Sequence, residues 1–157
     1  MTATHLRLIA QYYDGCSTGD VALMLETLHP DVVHYFLAPN VGSAPVAGAE
    51  HLARYWRKVT ANIHATWVVD HILDGVDEAV IEWTMSWLPP AADQPVATRG
   101  AEWFLFRDGG ISEIRSYYQQ RPETTELEGF PYPERGYSTF GQLSSAIHQP
   151  KPNGDPR

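Results

Sequence analysis

The chain has 157 residues, of which 43% are apolar and 11% aromatic, a composition typical of one globular domain with a substantial core. Its formal net charge of −8 repels phosphate backbones and anionic lipid headgroups, so nucleic acids and membrane surfaces are not expected partners. Cys16 is the only cysteine in the sequence, which excludes an intramolecular disulfide and any metal site built on several thiolates.

Three helices and one strand are predicted in the first part of the chain. Apolar residues recur at helical spacing over about residues 4–16, and again from the capping residue Asp20 until Pro30. A β-branched and aromatic run then predicts a strand over residues 32–37. After a loop rich in proline and glycine, a third helical stripe begins near Gly48 and reaches Ile63.

From residue 67 the apolar period changes to two, which predicts strands over residues 67–73, 79–88, 96–107 and 111–119. Short turns such as Asp108-Gly109-Gly110 join these strands into an antiparallel meander. This order predicts an α+β fold in which three N-terminal helices pack on a strongly bent, mostly antiparallel sheet. We assign residues 1–120 to that domain and residues 121–157 to a proline-rich tail, partly packed on the domain or on a partner subunit.

The sequence carries no pattern typical of export or membrane insertion. Its start lacks a charged segment followed by a long apolar run, and no stretch approaches about 18 uninterrupted apolar residues. We therefore expect a soluble, cytoplasmic protein.

Glu102 needs an explanation because it lies in an aromatic strand. Alternation places it on the same side as Phe104 and Phe106, an otherwise apolar face. Either the carboxyl group has a cation or ladder partner on a wet face, or it lies in an apolar pocket where desolvation raises its pKa and keeps it protonated. The second arrangement would make Glu102 a proton donor.

The preceding strand presents a uniformly apolar face. Ile81, Trp83, Met85 and Trp87 alternate with polar residues, so they lie on one side of that strand. If the helices only partly fill the hollow of the bent sheet, these residues line a cavity. If the helices fill the hollow, the same residues are ordinary core.

No motif for a metal or a cofactor is found. Asp70, His71 and His64 lack a recognised ligand spacing. The glycine-containing loops lack the strand-to-helix setting that phosphate-binding motifs require. We therefore expect neither a metal nor a cofactor.

Residues 100–118 read GAEWFLFRDGGISEIRSYY, and this segment resembles the closing hairpin of nuclear transport factor 2-like proteins, most of all their SnoaL-like branch. The Thr18-Gly19-Asp20 junction, the His29-Pro30-Asp31-Val32-Val33 entry into the first strand and Gly48 before the third helix extend the resemblance over about residues 5–120. It implies a cone-shaped barrel with a deep pocket. The superfamily includes ketosteroid isomerase, scytalone dehydratase, limonene epoxide hydrolase and polyketide cyclases, so the fold alone does not choose a reaction.

Matched position by position, the resemblance implies roles for several residues. Glu102 falls where ketosteroid isomerase has a protonated Asp in its oxyanion hole, Tyr12 where it has its oxyanion Tyr, and Trp56 at a supporting pocket Tyr. Two carboxylates of the family are missing: Phe36 stands near the position of the general base, and Gln119 follows the final aromatic pair. The predicted substrate-binding residues are Phe36, Trp56, Ile81, Trp83, Met85, Trp87, Phe104, Phe106, Ile114 and Tyr118.

His34 shares strand parity with Phe36 and is a candidate to enter the pocket in place of the missing base, at a pKa suited to neutral pH. The competing interpretation is a structural histidine bonded to a loop carbonyl. As a catalytic set, Glu102 and Tyr12 would donate hydrogen bonds to a substrate oxygen while His34 moves a proton on the other side.

Two functions remain open from the sequence. The first is a cofactor-independent lyase, isomerase, cyclase or hydrolase acting on a largely apolar oxygenated metabolite, such as a polyketide or terpenoid intermediate. The second is a non-catalytic small-molecule binding protein that uses the same pocket. The resemblance also implies a homodimer, formed through the sheet face that bears Trp103 and Leu105.

Overall fold

The computed structural model describes residues 2–40 and 44–139, with side chains from Thr4 onward. Along these residues lie helices α1 (Thr2–Thr18), α2 (Val21–Leu25) and α3 (Ala49–Ile63), strands β1 (Leu28–Phe36), β2 (Val46–Ala47), β3 (Thr66–Asp74), β4 (Glu78–Trp87), β5 (Val96–Arg107) and β6 (Gly110–Tyr118), and a 3-10 turn over Pro133–Arg135. None of the described helices is both long and apolar enough to cross a membrane.

The described strands form one mixed, strongly curved sheet in the order β2-β1-β6-β5-β4-β3. Strands β3 to β6 pair antiparallel as the predicted meander, whereas β1 pairs parallel with β6. The predicted α+β class, with its helices packed on a bent sheet, is confirmed. A parallel pair needs a long crossover, and α3 with the following meander supplies it between β1 and β6.

Two boundaries near the N-terminus differ from the sequence prediction. The second helix ends at Leu25 instead of continuing to Pro30, and β1 already begins at Leu28. Pro30 is tolerated inside β1 because the pairing with β6 is irregular between Leu28 and Val33, where no regular ladder hydrogen bond is lost. The two-residue strand β2 lies in the segment predicted as loop.

The apolar stripe of α1 is what places this helix over the sheet. Five of its residues are almost fully buried, and the helix packs mainly on β3 and α2: Leu8, Ile9, Tyr12, Tyr13 and Cys16. Side chains three or four residues apart share one helix face, so this stripe is continuous. It brings two tyrosines and a cysteine to the hollow of the sheet.

Gly100 makes room for an indole inside that hollow. It pairs with Trp83 on the neighbouring strand, and a Cβ added to it would lie 2.5 Å from Trp83 Cζ2 and 2.9 Å from Tyr118 Cβ. Any larger residue would therefore push Trp83 away from the strand. The missing side chain lets the Trp83 ring approach β5 closely.

The described part of the tail packs on the outer face of the sheet, opposite the helices. Arg99 on β5 bonds Glu126 at 2.5 Å, Thr84 Oγ1 at 2.6 Å and the Ser138 carbonyl at 3.1 Å. The Ser138 backbone N–H in turn donates to the fully buried Asp70 at 2.9 Å. These contacts hold Glu126 and Ser138 against the sheet. The predicted tail from residue 140 onward lies outside the described residues.

Candidate functional site

A cavity of about 200 Å³ lies between the helices and the concave face of the sheet. Helices α1 and α3 form one wall, and strands β3 to β6 form the other. The lining residues are Tyr12, Tyr13, Cys16, Tyr55, Trp56, Val59, Asn62, Ile63, Trp67, Trp83, Met85, Glu102, Tyr118 and Gln120. Seven of these carry aromatic rings and one is a carboxylic acid, so the site suits a compact, largely apolar ligand with a polar atom.

Glu102 is the acidic group of this cavity and is only 3% exposed. Tyr13 Oη donates to its Oε2 atom, and Ser116 Oγ donates to its Oε1 atom at 2.8 Å. The Trp83 indole lies close enough to Glu102 to favour the charged form of the carboxyl group. The indole N–H nevertheless makes no regular hydrogen bond within the described residues.

Burial raises the pKa of Glu102 to about 7 from an ordinary value of 4.5. Desolvation disfavours the carboxylate more than the Tyr13, Ser116 and Trp83 side chains stabilise it. The sequence left two alternatives open for Glu102. The structure agrees with the second, in which the carboxyl group lies in an apolar pocket and its pKa is raised. Near neutral pH a large share of Glu102 carries its proton and can donate it.

The pairing of β5 with β6 brings Ser116 to Glu102. These two residues are direct cross-strand partners, and the ladder shifts by one residue between Leu105 and Phe106. A regular ladder counted from the Arg107 and Gly110 pair would have placed Arg115 opposite Glu102 instead. Because of the bulge, the residue opposite Glu102 carries a hydroxyl group and not a positive charge. No cation at this position therefore lowers the pKa of Glu102.

His34 was a candidate to enter the cavity, but the structure has it outside the cavity lining. It is fully buried behind Ser116, where its Nε2 atom shares a hydrogen bond with Ser116 Oγ and its ring stacks on Phe36 at a centroid distance of 4.4 Å. Desolvation lowers the pKa of His34 from 6.5 to about 3, so it is neutral at physiological pH. The pKa suited to neutral pH that we expected for His34 is wrong, because an apolar surrounding without a carboxylate partner disfavours the imidazolium.

Tyr12 and Tyr13 both line the cavity, but only Tyr13 bonds the acid. The hydroxyl of Tyr12 is buried without a regular hydrogen-bond partner among the described side chains, and the two rings meet edge to face at 5.2 Å. Successive residues of a helix point about 100° apart, so one tyrosine reaches Glu102 while the other does not. The resemblance implies that Tyr12 donates to a substrate oxygen beside Glu102; the structure has Tyr12 on the cavity wall and Tyr13 hydrogen-bonded to Glu102.

The predicted substrate-binding residues divide into two groups. Those on the cavity wall are Trp56, Trp83, Met85 and Tyr118. Those that instead fill the core are Phe36, Ile81, Trp87, Phe104, Phe106 and Ile114. Helix side chains cover two members of the second group: Tyr12 packs on Phe104 at a ring-centroid distance of 6.4 Å, and His5 stacks on Phe106 at 3.8 Å.

Several residues of the cavity were absent from the sequence prediction. They come from the C-terminal half of α1, from α3, from the start of β3 and from just after β6: Tyr13, Cys16, Tyr55, Val59, Asn62, Ile63, Trp67 and Gln120. Tyr13, Tyr55, Val59 and Ile63 did carry a signal, because they belong to the apolar stripes that predicted α1 and α3. No local pattern pointed to Ser116, whose role depends on the bulge in β5 and β6.

Within residues 2–40 and 44–139, no group of three or more His, Cys, Asp or Glu side chains is placed to hold a metal ion. Lone Cys16 lies on the cavity wall, and burial raises the pKa of its thiol, so the thiolate is disfavoured.

Comparisons with known proteins identify relatives of this architecture. Residues 9–114 match the family described as the SnoaL-like domain. Among solved structures, a protein of unknown function with a cystatin-like fold from Methylobium petroleophilum is 33% identical, covers 93% of this chain and 98% of its own, and has a TM-score of 0.66. The comparison with curated proteins finds no match.

Two more distant structures share the fold. A protein from Sinorhizobium meliloti, provisionally named a polyketide cyclase, is 21% identical over 70% of this chain and 93% of its own, with a TM-score of 0.56. A protein from Jannaschia, provisionally named a SnoaL-like polyketide cyclase, is 17% identical over 74% and 86%, with a TM-score of 0.62.

Proposed function

The chain belongs to the SnoaL-like family of the nuclear transport factor 2-like superfamily, and on this premise we propose that it is a cofactor-independent acid–base enzyme. Its substrate is a largely apolar, oxygenated small molecule that enters the aromatic cavity. The reaction belongs to the lyase, isomerase, cyclase or hydrolase type. Each of these needs a proton delivered to a carbonyl or leaving oxygen, and none needs a redox partner.

The observation that carries the proposal is the neutral acid in the cavity wall. Glu102 is 3% exposed, yet it faces a space large enough for a ligand. A carboxylic acid with a pKa of about 7 matches the pH at which it would work, which is the condition for efficient general acid catalysis. Hydrogen bonds from such a group also stabilise negative charge that develops on a substrate oxygen.

The neighbouring structures suggest where a substrate search starts. Two proteins of the same fold carry provisional names as polyketide cyclases, which makes poly-β-keto and cyclic enone compounds the first class to test. The fold alone does not transfer the activity of a relative to this chain. The aromatic wall and the single acid support the choice independently, because they fit a flat molecule with one reacting oxygen.

The test compares the protein with its Glu102→Gln variant on a panel of poly-β-ketones, cyclic enones, hydroxyketones and epoxides, followed by mass spectrometry. The amide keeps the shape of the acid but cannot give up a proton, so kcat falls by about 10²–10⁴-fold. KM changes by less than about threefold, because binding of the apolar body is preserved. An equal loss in turnover and in binding would contradict the acid role.

A second candidate function is a non-catalytic small-molecule binding protein. The missing carboxylates favour it: Phe36 and Gln119 stand at two positions where the resemblance implies acids. Tight binding of a panel compound without product after long incubation would support this function. Conversion at a rate that depends on Glu102 would exclude it.

We further propose that the curved sheet and helices form a cone-shaped barrel around the cavity, and that two copies form a homodimer in the cytoplasm. The outer face offers a surface for the dimer, since Trp103 is 37% and Tyr117 41% exposed there. Exposed rings of this kind are enriched at protein interfaces.

A further inference from the structure

A continuous hydrogen-bonded row leads from the core to the cavity: His34, Ser116, Glu102 and Tyr13. All four are at most 3% exposed, and of these four residues Glu102 and Tyr13 line the cavity. In each hydrogen bond of the row, either of the two atoms can carry the hydrogen. The positions of the atoms therefore do not by themselves fix which group donates. The tautomer of His34 decides it.

His34 is neutral, so one ring nitrogen carries a hydrogen and the other does not. Its Nδ1 atom is buried without a partner within the described residues, while Nε2 faces Ser116 Oγ. A buried N–H group without an acceptor is rarer in proteins than an acceptor without a donor. The hydrogen therefore sits on Nε2, and His34 donates to Ser116.

This tautomer fixes the next link. Ser116 has one hydroxyl hydrogen, and because its oxygen already accepts from His34, that hydrogen goes to Glu102 Oε1 at 2.8 Å. Oε1 is then an acceptor, so the acidic proton of neutral Glu102 sits on Oε2. Oε2 faces Tyr13 Oη.

We propose that Tyr13 delivers the proton to the substrate, with His34 and Ser116 as positioning residues that set the direction of the row. When neutral Glu102 donates to Tyr13 Oη, the hydrogen of Tyr13 is free to point into the cavity that this residue lines. When Glu102 is ionised, the same hydroxyl turns back and donates to the carboxylate. The inference rests on the proposed acid–base function.

The proton transfer balances without a further reactant. The Tyr13 O–H bond breaks as a substrate oxygen takes its proton, and the Glu102 Oε2–H bond breaks as Tyr13 regains one. The negative charge ends on Glu102, where Tyr13 and Ser116 both donate to it. In an isomerisation or dehydration the substrate also loses one carbon-bound proton, and the cycle closes when that proton returns through Tyr13 to the Glu102 carboxylate.

Glu102 is the group of this cluster that titrates near neutral pH. The other titratable groups facing it are Tyr12, Tyr13 and Cys16 from α1, Tyr118 from β6 and, behind Ser116, His34 from β1. Burial raises the pKa of the three tyrosines and of the cysteine, to about 12 for Tyr118, and lowers that of His34 to about 3. A single ionisation near pH 7 is therefore expected to control the row.

The first test reads the His34 tautomer by ¹⁵N NMR of the histidine-labelled protein at pH 6, with the His34→Gln spectrum identifying its signals. A protonated Nε2 and a bare Nδ1 are expected. A proton on Nδ1, or a doubly protonated ring, would reverse or block the row and would overturn the inference. The measurement needs no substrate, so it decides the direction even if the proposed function fails.

The second test uses turnover of whichever panel compound the protein converts. Tyr13→Phe is expected to lower kcat by about 10²-fold or more, whereas Tyr35→Phe, the same change on a strand away from the cavity, leaves it within about twofold. If Glu102→Gln is inactive while Tyr13→Phe keeps wild-type kcat, Glu102 donates directly and the role of Tyr13 is refuted. If no compound is converted, the proposed function fails and the delivery role fails with it.

A matched pair tests the positioning role of His34. Gln can place its amide N–H near the site of Nε2, whereas Phe has a similar ring and no donor. His34→Phe is expected to raise the apparent pKa in the pH profile of kcat, because Ser116 no longer has a fixed direction toward the carboxylate, and His34→Gln restores the wild-type profile. Equal profiles for both variants would show that His34 is structural only.

Discussion

At the scale of single residues, the chemistry depends on the balance between burial and hydrogen bonding at Glu102. Three side chains stabilise its charged form, yet removal from water prevails and raises the pKa to about 7. A cation within reach would have reversed this result, and the bulge between Leu105 and Phe106 keeps Arg115 away. The pKa of Glu102 is therefore raised because burial acts on it without a compensating cation among the described residues.

This pKa has a consequence for stability. Folded Glu102 holds its proton up to about pH 7, whereas the unfolded chain releases it near 4.5. The free energy of unfolding from this group therefore falls as pH rises from 4.5 to 7, by about 3 kcal/mol, and is constant above that range. We expect the wild-type protein to lose this amount relative to Glu102→Gln between pH 4.5 and 8, in urea unfolding followed at both pH values.

Buried His34 has the opposite effect on the free energy of unfolding, which this residue makes rise with pH between about 3 and 6.5. Its pKa of about 3 lies below the ordinary 6.5, so its contribution is lost as pH falls below 6.5. Because His34 is present in both proteins, the comparison with Glu102→Gln cancels its effect. A difference between the two proteins that does not change with pH would contradict the raised pKa of Glu102.

At the scale of helices and strands, hydrophobic period predicted most of the architecture and little of the site. The stripes of α1 and α3 and the meander of β3 to β6 follow directly from spacing. Pro30 inside β1 and the bulge in β5 and β6 did not, because both depend on how one strand pairs with another. Alternation along β4 and β5 likewise predicted which residues share one face of the sheet. Which of them reach the cavity depends on the helix side chains that cover this face.

Gly100 is the position where an element-level change should alter the cavity. A Cβ there would lie 2.5 Å from Trp83 Cζ2 and 2.7 Å from Trp83 Cη2. The indole must move into the cavity, so we expect Gly100→Ala to lower the free energy of unfolding by about 1–3 kcal/mol and to weaken ligand binding. Thermal unfolding measures the loss of stability, and intrinsic tryptophan fluorescence reports the displacement of the indole. An unchanged melting temperature and spectrum would contradict the close packing.

The tail is held on the sheet by Arg99, whose side chain is only 16% exposed. Arg99→Met keeps the aliphatic stem but leaves Glu126 without its cation, so we expect a loss of about 2–3 kcal/mol and faster proteolysis after residue 121. Limited trypsin or Glu-C digestion followed by mass spectrometry locates the cuts. Arg54→Met, at an exposed pair on α3, is the matched control and should behave like wild type. Equal digestion of both variants would refute the anchoring role.

At the scale of the whole molecule, the division into a domain over 1–120 and a tail over 121–157 remains a prediction. The family match over residues 9–114 falls within the first part, and residues 121–139 use the outer face of the sheet. The tail therefore shares that face with the surface proposed for the dimer. Trp103 and Tyr117 mark the region that the described tail leaves exposed.

The dimer proposal is tested by light scattering at micromolar concentration. We expect twice the monomer mass of 17.6 kDa for wild type. Trp103→Glu, which places a charge in the proposed interface, should give the monomer mass. A monomeric wild-type protein would contradict the proposal.

The most direct test of the central claim is the titration of Glu102 itself. With ¹³C-labelled glutamate, the carboxyl signal that disappears in Glu102→Gln can be followed by NMR from pH 3 to 9. The account predicts a single midpoint near pH 7. A midpoint near the ordinary 4.5 would show a solvated, charged carboxylate and would contradict the proposed acid.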